Sequence, residues 1–316
     1  MFLNKPLRAK LYPIGTPFYL LRSVLLISAL FILFSCSTDD GVQSPENPDE
    51  TSEQEEITEP ETPTIDLDFT SFLDVSYGAD TEQVYDIYLP AGRTENTKTL
   101  ILVHGGGWTS GDKADMNDFK DFLRSQLPDV AIVNMNYRLA DSITPPYPMQ
   151  TDDITMLVEE LDVKKSEYQI GTELGFLGIS AGGHLSLLWS YAFDEDNQVN
   201  MVCSIVGPTN LLDEAYRNTE DELLSQLVTQ FDLDEEILRE ASPLFQVTED
   251  APPTSLFYGG KDPLVPISQG VDLDARLMEL GIEHEFTLYE NEGHGWIGLN
   301  LLDTSVKLRT FIEKHL

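Results

Sequence analysis

The stretch Leu174-Gly175-Phe176-Leu177-Gly178-Ile179-Ser180-Ala181-Gly182 runs from an apolar segment of strand length into a helical pattern, with a serine at the junction. Small residues around a serine allow a sharp strand-to-helix turn, which lifts the hydroxyl above a sheet and near the positive end of the helix dipole. Four apolar residues make the following helix suitable for burial: Leu185, Leu187, Leu188 and Trp189. The stretch predicts Ser180 as a nucleophile, against the alternative of a structural turn serine.

From Phe72 onward, short β-rich runs alternate with amphipathic helical stretches. This alternation predicts an α/β fold with an open, mostly parallel twisted sheet and helices on both faces. The predicted strands are 73–77, 84–89, 99–104, 130–136, 174–179, 201–206, 254–259 and 284–289. The predicted helices are 116–127, 150–161, 181–193, 268–280 and 303–314.

Two candidate partners for the serine follow later strands. His294 lies in a glycine-flanked loop, where an imidazole can accept a serine proton and return it to a leaving group. Asp262 precedes a proline after an apolar strand, where a carboxylate can hold the imidazole in the required tautomer. The alternatives are a surface histidine, a turn-only aspartate, and Glu292 as a rival acid. The chain order Ser180, Asp262, His294 is that of the α/β-hydrolase fold.

The motif His104-Gly105-Gly106-Gly107-Trp108 follows the third predicted strand. Its glycines leave amide N–H groups bare, so these groups can face a developing oxyanion. We predict the amides of Gly106, Gly107 and Ala181 as the oxyanion donors.

Two tryptophans are candidates for the substrate pocket, Trp108 and Trp296. Trp108 either lines the pocket or only anchors its loop.

After the sixth strand lies a small acidic helical insertion, about residues 210–247, that follows the catalytic edge of the sheet. It forms surface helices on the sheet edge or a cap that shapes the acyl or alcohol pocket, and both can hold. Its apolar residues at helical spacing are Leu223, Leu224, Leu227, Val228 and Phe231.

Residues 1–35 have the pattern of an export signal, because four basic residues precede an uncharged apolar run, 23–34. The run has about 12 residues, fewer than the roughly 20 that span a bilayer as a helix. It ends Leu33-Phe34-Ser35-Cys36, which resembles the cleavage box of bacterial lipoproteins, so Cys36 is the predicted lipidation site. The alternatives are a plain signal peptide and a membrane-spanning anchor. Cys203, the only other cysteine, is predicted as a small core residue.

The segment 36–70 is predicted to be an acidic, disordered tether, and 71–316 the hydrolase domain. Residues 37–70 contain twelve Asp or Glu and no Lys or Arg, a composition that cannot offset its ordering entropy by apolar burial. The residues after Cys36 resemble an acidic sorting signal of Gram-negative lipoproteins. We therefore expect an exported protein, lipid-anchored to the bacterial outer membrane and facing the cell surface.

The net charge of the chain is -36, of which the signal carries +4 and the tether -12, leaving -28 for residues 71–316. The electrostatic repulsion from this negative charge disfavours nucleic acid and other polyanions as partners. Small neutral esters or acylated oligosaccharides are the expected substrates.

The motifs H-G-G-G-W, G-D-K, N-Y-R-L, G-I-S-A-G-G-H, S-P-L-F and G-x-x-D-P-L-V-P together resemble α/β-hydrolase carboxylesterases related to hormone-sensitive lipase. The chain looks most like the bacterial feruloyl and acetyl esterases that act on plant polysaccharides, over about 84–316. The resemblance implies the catalytic set Ser180, Asp262 and His294. The tyrosine motif continues as Leu139-Ala140-Asp141 rather than L-A-P-E, which argues against close lipase-like specificity.

The expected function is hydrolysis of acetyl or feruloyl esters of carbohydrates through an acyl-serine intermediate, without metal or organic cofactor. A serine peptidase or amidase on the same fold is the first alternative, because the triad does not choose between ester and amide. The second alternative is a non-catalytic glycan-binding lipoprotein. The sequence does not predict the oligomeric state.

Overall fold

In the computed structural model, which describes residues 67–217, 228–231 and 234–316, eight strands form one sheet. The strands are β1 (Thr70–Ser76), β2 (Val84–Leu89), β3 (Thr99–Val103), β4 (Ala131–Met135), β5 (Leu174–Ile179), β6 (Val199–Ile205), β7 (Thr254–Gly259) and β8 (His284–Tyr289). Their order across the sheet is β1-β2-β4-β3-β5-β6-β7-β8. The strand β2 is antiparallel to β1 and β4, and all other neighbours are parallel.

The helices cover both faces of the sheet. After a 3-10 turn at Lys113–Met116 they are α1 (Asn117–Gln126), α2 (Met149–Tyr168), α3 (Ala181–Ala192), α4 (Glu214–Arg217), α5 (Glu235–Glu240), α6 (Pro243–Gln246), α7 (Ser268–Leu280) and α8 (Leu299–His315). Apolar residues of α2, α3 and α7 share one core, while those of α1 and α8 share the other. The central strands are buried from both sides, which explains their continuous apolar sequences.

The predicted fold class is confirmed, and every predicted strand is present with bounds shifted by three residues or fewer. The helix α2 extends seven residues beyond its predicted end at Leu161. Its last turns lack an apolar stripe, but ion pairs three residues apart, at Asp162–Lys165 and Lys164–Glu167, support them. The buried ring of Tyr168 then fixes the end of the helix against the core.

The predictions for residues 1–66, including lipidation of Cys36, lie outside the described residues. The carbonyl of Leu67 accepts a hydrogen bond from Gly92, and β1 begins at Thr70, so contacts with the sheet start before residue 71. No helix in the described part of the chain is long and apolar enough to cross a membrane. Cys203 is fully buried in β6, in agreement with its predicted place in the core.

The insertion is described at residues 210–217, 228–231 and 234–247; Leu223, Leu224 and Leu227 lie outside these ranges. The side chains of Val228 and Phe231 are buried in the larger core. The helix α6 packs on α3, the helix that follows Ser180, rather than on an edge strand. The described part of the insertion thus supports the region behind the candidate nucleophile.

Candidate active site

Ser180 lies at the junction of β5 and α3 in a conformation that is rare for a residue with a side chain. Its backbone has φ 54° and ψ -120°, and its amide donates a hydrogen bond to the carbonyl of Ile205. The turn is tight enough to exclude a larger residue at Gly182, where a Cβ atom would lie 2.2 Å from the carbonyl oxygen of Val103. The small residues of the motif thus let β3 and α3 approach each other beneath the serine.

His294 joins Ser180 to Asp262. Its Nε2 lies 2.8 Å from Oγ of Ser180, and its Nδ1 lies 2.7 Å from Oδ2 of Asp262. Because a carboxylate can only accept, Nδ1 carries the proton and Nε2 is free to accept from the serine hydroxyl. The three residues predicted as a catalytic set are therefore in hydrogen-bond contact, although they come from the ends of three strands.

Asp262 is held in position by the backbone after β7. Its Oδ1 accepts hydrogen bonds from the amides of Leu264 and Val265, at 2.8 and 3.0 Å, and its side chain is 1% exposed. Glu292, the rival acid, accepts instead from the side-chain nitrogen Nδ2 of Asn300 at 2.6 Å. The geometry thus selects Asp262 as the carboxylate behind the imidazole.

The three predicted oxyanion amides are available. Among the described residues, none of the amides of Gly106, Gly107 and Ala181 donates a hydrogen bond to another residue. Gly106 has φ 113°, and a Cβ atom there would lie 1.9 Å from the carbonyl oxygen of Ser110, so only glycine fits. The side chain of Ser110 closes the same turn by donating to the Gly106 carbonyl at 2.8 Å.

A cavity of about 420 Å³ opens beside these groups. Three consecutive glycines, 105–107, form what we call the glycine loop. The cavity is lined by this loop, by Ser180 and His294, by the apolar side chains of Met116, Ile179, Pro208, Leu264 and Val265, and by Trp108 and Asp115. Except for Asp115 and the serine–histidine pair, its walls carry no ionisable group among the described residues. Such a cleft accommodates a small uncharged group next to the serine hydroxyl.

Trp108 both lines the cavity and anchors its loop, the two roles considered for it from the sequence. It is among the residues that line the cavity, yet its side chain is 1% exposed and packs edge-on against Phe231, with centroids 5.0 Å apart. Its carbonyl accepts from the amide of Ala140 and from the side chain of Gln150, at 2.9 and 2.7 Å. The sequence motifs did not single out Gln150 as a site residue, although a predicted helix began there, because only the fold brings its side chain to the Trp108 carbonyl.

The side chain of Trp296 contacts residues of β8 and α8. Its indole donates to the hydroxyl of Thr304 at 2.8 Å, and its ring packs beside that of Tyr289. The described residues that line the cavity do not include it. Trp296 therefore joins the loop of His294 to α8, and the structure gives it no contact with the predicted pocket.

His104 braces the loop of the oxyanion motif. Its ring stacks on Tyr137 at 4.2 Å, and the Tyr137 hydroxyl donates to the His104 carbonyl at 2.9 Å. Burial lowers the pKa of the His104 imidazole, which keeps it neutral. The N-Y-R-L motif thus supports the glycine loop from the neighbouring strand.

Other polar residues of the motifs are structural. The Arg138 guanidinium and amide bind the buried carboxylate of Asp153, and Lys113 pairs with Asp86 at 2.8 Å. Within residues 67–217, 228–231 and 234–316, no group of three or more His, Cys, Asp or Glu is arranged to hold a metal ion.

A family model described as BD-FAE matches residues 85–277, which is more than half of the chain. The chain belongs to the BD-FAE family. The matched stretch contains Ser180, Asp262 and the glycine loop, and it ends before His294. The histidine is therefore assigned to the site by its contacts.

Curated relatives of this BD-FAE protein include esterases. Esterase LipC of Mycobacterium tuberculosis is 27% identical over 248 residues, which cover 72% of this chain and 60% of that protein. The probable isoprenylcysteine alpha-carbonyl methylesterase ICMEL1 of Arabidopsis thaliana is 25% identical over 250 residues, covering 70% of this chain and 50% of that protein. The chain thus spans between 50% and 60% of the length of these two relatives.

Solved structures share the fold. A bacterial heroin esterase has a TM-score of 0.65 at 19% identity, covering 81% of this chain and 87% of its own. A truncated carbohydrate esterase from gut microbiota has a TM-score of 0.63 at 21% identity, covering 78% of this chain and 99% of its own. At these identities the similarity supports the α/β-hydrolase architecture.

Proposed function

We propose that this BD-FAE protein is a serine carboxylesterase that hydrolyses acyl esters through an acyl-serine intermediate. The observation that carries the proposal is the unbroken series of contacts from the Ser180 hydroxyl through His294 to Asp262, at the wall of a cavity. Its curated relatives are named as esterases, which agrees with this reaction.

The geometry supports the following steps. Oγ of Ser180 attacks the ester carbonyl carbon while its proton moves to Nε2 of His294, and Asp262 stabilises the imidazolium. The carbonyl oxygen becomes an oxyanion that the free amides of the glycine loop and Ala181 can bind. The tetrahedral intermediate then expels the alcohol, which takes the proton from His294. Water repeats the sequence on the acyl-serine, so that the acid leaves and the serine regains its proton.

We further propose acetyl or feruloyl esters of carbohydrates as substrates. The solved structures of similar fold include a carbohydrate esterase and an acetyl ester-xyloside bifunctional hydrolase. The cavity of about 420 Å³ has space for either acyl group, and the apolar side chains of Met116, Leu264 and Val265 suit an uncharged one.

The proposal is tested by hydrolysis of p-nitrophenyl acetate by the wild type and by Ser180→Ala. We expect the variant to lose activity by about a thousandfold or more, because its oxyanion amides and binding site remain but its nucleophile does not. Equal rates in the two proteins would refute the role of Ser180.

Two further assays separate the alternatives. Release of acetate or ferulate from acylated xylan, compared with cleavage of chromogenic dipeptides, distinguishes an esterase from a peptidase or amidase. A fluorophosphonate probe, which reacts with an activated serine, should add its mass to the wild type and not to Ser180→Ala. Failure to label the folded wild type would favour a non-catalytic glycan-binding protein.

A further inference from the structure

His184 forms a buried bridge between the glycine loop and the insertion. It lies one turn into α3 and is fully buried. Its Nδ1 accepts a hydrogen bond from the indole nitrogen of Trp108 at 3.2 Å, and its Nε2 lies 2.7 Å from the carbonyl oxygen of Ala241. The side chain of His184 thus connects its own helix, α3, with the residue that follows the glycine loop and with the insertion.

These two contacts fix the protonation of the imidazole. The indole can only donate and the carbonyl can only accept, so Nδ1 is bare and Nε2 carries the proton. Burial lowers the pKa of His184 to about 4, in agreement with a neutral ring. His184 therefore takes no part in proton transfer at Ser180, whose base is His294, and both of its nitrogens are committed to holding neighbours.

The neighbour that matters most is Trp108, because its backbone ends the glycine loop. Trp108 has φ 64°, a left-handed conformation that is costly for a residue with a bulky side chain. Such a conformation persists only where surrounding contacts determine it. The indole hydrogen bond to His184 and the edge-on contact with Phe231 are the side-chain contacts that hold it.

The insertion completes the support from the other side. Phe231 packs against both Trp108 and His184, with centroids 5.0 and 5.9 Å apart. Ala241 lies next to Ser242, whose buried hydroxyl accepts from the amide of Leu211 at 2.9 Å and donates to the carbonyl of Leu238. The acceptor for His184 is thereby held by several contacts within the insertion.

We propose that His184 is a positioning residue for the glycine loop, and that the insertion supports that loop through His184. The inference rests on the proposed function, since it assumes that the Gly106 and Gly107 amides bind an oxyanion. The ring of His184 hydrogen-bonds to no member of the triad, and His184 is not among the described residues that line the cavity. It sets the position of Trp108, and Trp108 sets where the preceding two amides point.

Three variants test the bridge. Trp108→Phe removes the indole N–H and keeps an aromatic ring, His184→Leu removes both ring nitrogens, and His184→Gln keeps one acceptor and one donor. We expect Trp108→Phe and His184→Leu to lower kcat by about tenfold to a hundredfold with KM changed by less than about twofold, since loss of one oxyanion donor costs about a hundredfold to a thousandfold. Because acylation and deacylation both pass through an oxyanion, kcat reports the loss whichever step limits. His184→Gln should recover most of the loss.

Trp189→Phe is the matched control. Trp189 is 3% exposed, lies on the same helix, and donates its indole N–H to the hydroxyl of Thr155 at 2.9 Å. The substitution deletes the same group from an equally buried site without touching the glycine loop. Its effect on melting temperature should resemble that of Trp108→Phe, while its kcat stays at the wild-type value.

The double variant Trp108→Phe with His184→Leu adds an internal check. If both residues act through their shared hydrogen bond, its kcat should be no lower than that of His184→Leu alone. The inference is overturned if Trp108→Phe and His184→Leu, folded by circular dichroism, keep kcat within twofold of wild type, or if Trp189→Phe loses as much as they do.

The rate of fluorophosphonate labelling, measured on the same proteins, separates this inference from the proposed function. Labelling needs the triad and the oxyanion amides but no particular ester. A wild type that is labelled yet hydrolyses no ester would contradict the proposed esterase function, and slower labelling of His184→Leu would still support the bridge. Equal labelling rates in all variants would contradict the bridge while leaving Ser180 as the nucleophile.

Discussion

Ser180 illustrates how the motif follows from the geometry. A residue with a side chain at φ 54° and ψ -120° stores about 1–3 kcal/mol of backbone strain. The hydrogen bonds of its amide to Ile205 and of its carbonyl to His184 help to retain that conformation. The strain places the hydroxyl in front of His294 and the Ala181 amide beside the reaction centre. The small residues in the motif are therefore conditions for the chemistry of the serine.

Asp115 is the one carboxylate on the cavity wall among the described residues, and we predict that it selects against negatively charged substrates. Its Oδ2 accepts from the amide of Asp112 at 3.0 Å, and it forms no ion pair with another described residue. Asp115→Asn should raise kcat/KM for the anionic mono-p-nitrophenyl succinate by about twofold to tenfold, since two exposed charges at 4 Å interact by about 1 kcal/mol in water. The rate for neutral p-nitrophenyl butyrate should change little.

Asp118→Asn is the control for this prediction. Asp118 is exposed in the first turn of α1 and lies outside the cavity lining, so its substitution changes the net charge equally. The gain with Asp115→Asn should shrink in 0.5 M NaCl, because salt screens exposed charges. An equal gain in the two variants would mean that the overall acidity of the protein, rather than Asp115, repels the anion.

At the scale of elements, the loop after β4 is joined to α2 by a buried ion pair. The Arg138 guanidinium and backbone amide donate to Asp153, whose side chain is fully buried, and Gln83 before β2 donates to the same carboxylate at 2.8 Å. This carboxylate holds three elements beside the glycine loop. Its removal would leave several donors without an acceptor.

We predict that Asp153→Ala lowers the free energy of unfolding by about 3 kcal/mol, the lower end expected for breaking a buried pair, because Arg138 is about a third exposed. Equilibrium unfolding in guanidinium chloride measures the change. Glu167→Ala on the same helix is the comparison, since its pair with Lys164 is largely exposed and should be worth about 0.5 kcal/mol or less. Similar losses in the two variants would contradict the structural role given to Asp153.

The convergence of the site residues could be predicted from the order of strands and motifs, but the individual side-chain contacts could not. The carboxyl ends of parallel strands meet at one edge, so the motifs that follow β3, β5, β7 and β8 were expected to converge, and the contact of Ser180 with His294 agrees with this. The bridge of His184 was not predictable, because Ala241 lies 57 positions away in a segment without a clear period. Proximity to His294 in sequence also did not indicate that the ring of Trp296 would pack beside Tyr289 and Thr304.

At the scale of the whole molecule, the charge is the dominant feature of the sequence. Residues 71–316 carry -28, yet the described residues of the cavity wall include a single carboxylate and mostly apolar side chains. The acidity therefore lies mainly on the outer surface, where it favours solubility and repels polyanions. For the neutral esters proposed as substrates, we therefore expect binding to depend on local contacts in the cavity rather than on the charge of the protein.

The location of the protein remains a prediction from residues 1–40, and it can be tested with the two cysteines of the chain. In a Gram-negative host fed an alkyne fatty acid, we expect the wild type to be labelled and to sediment with membranes, because a lipidated Cys36 inserts acyl chains into the bilayer. Cys36→Ser should lose both properties. Cys203→Ser, a change at a buried core thiol, should keep both, which shows that the label is specific. Labelling that persists in Cys36→Ser, or a wild type found unlabelled in the soluble fraction, would contradict the lipoprotein prediction without affecting the triad.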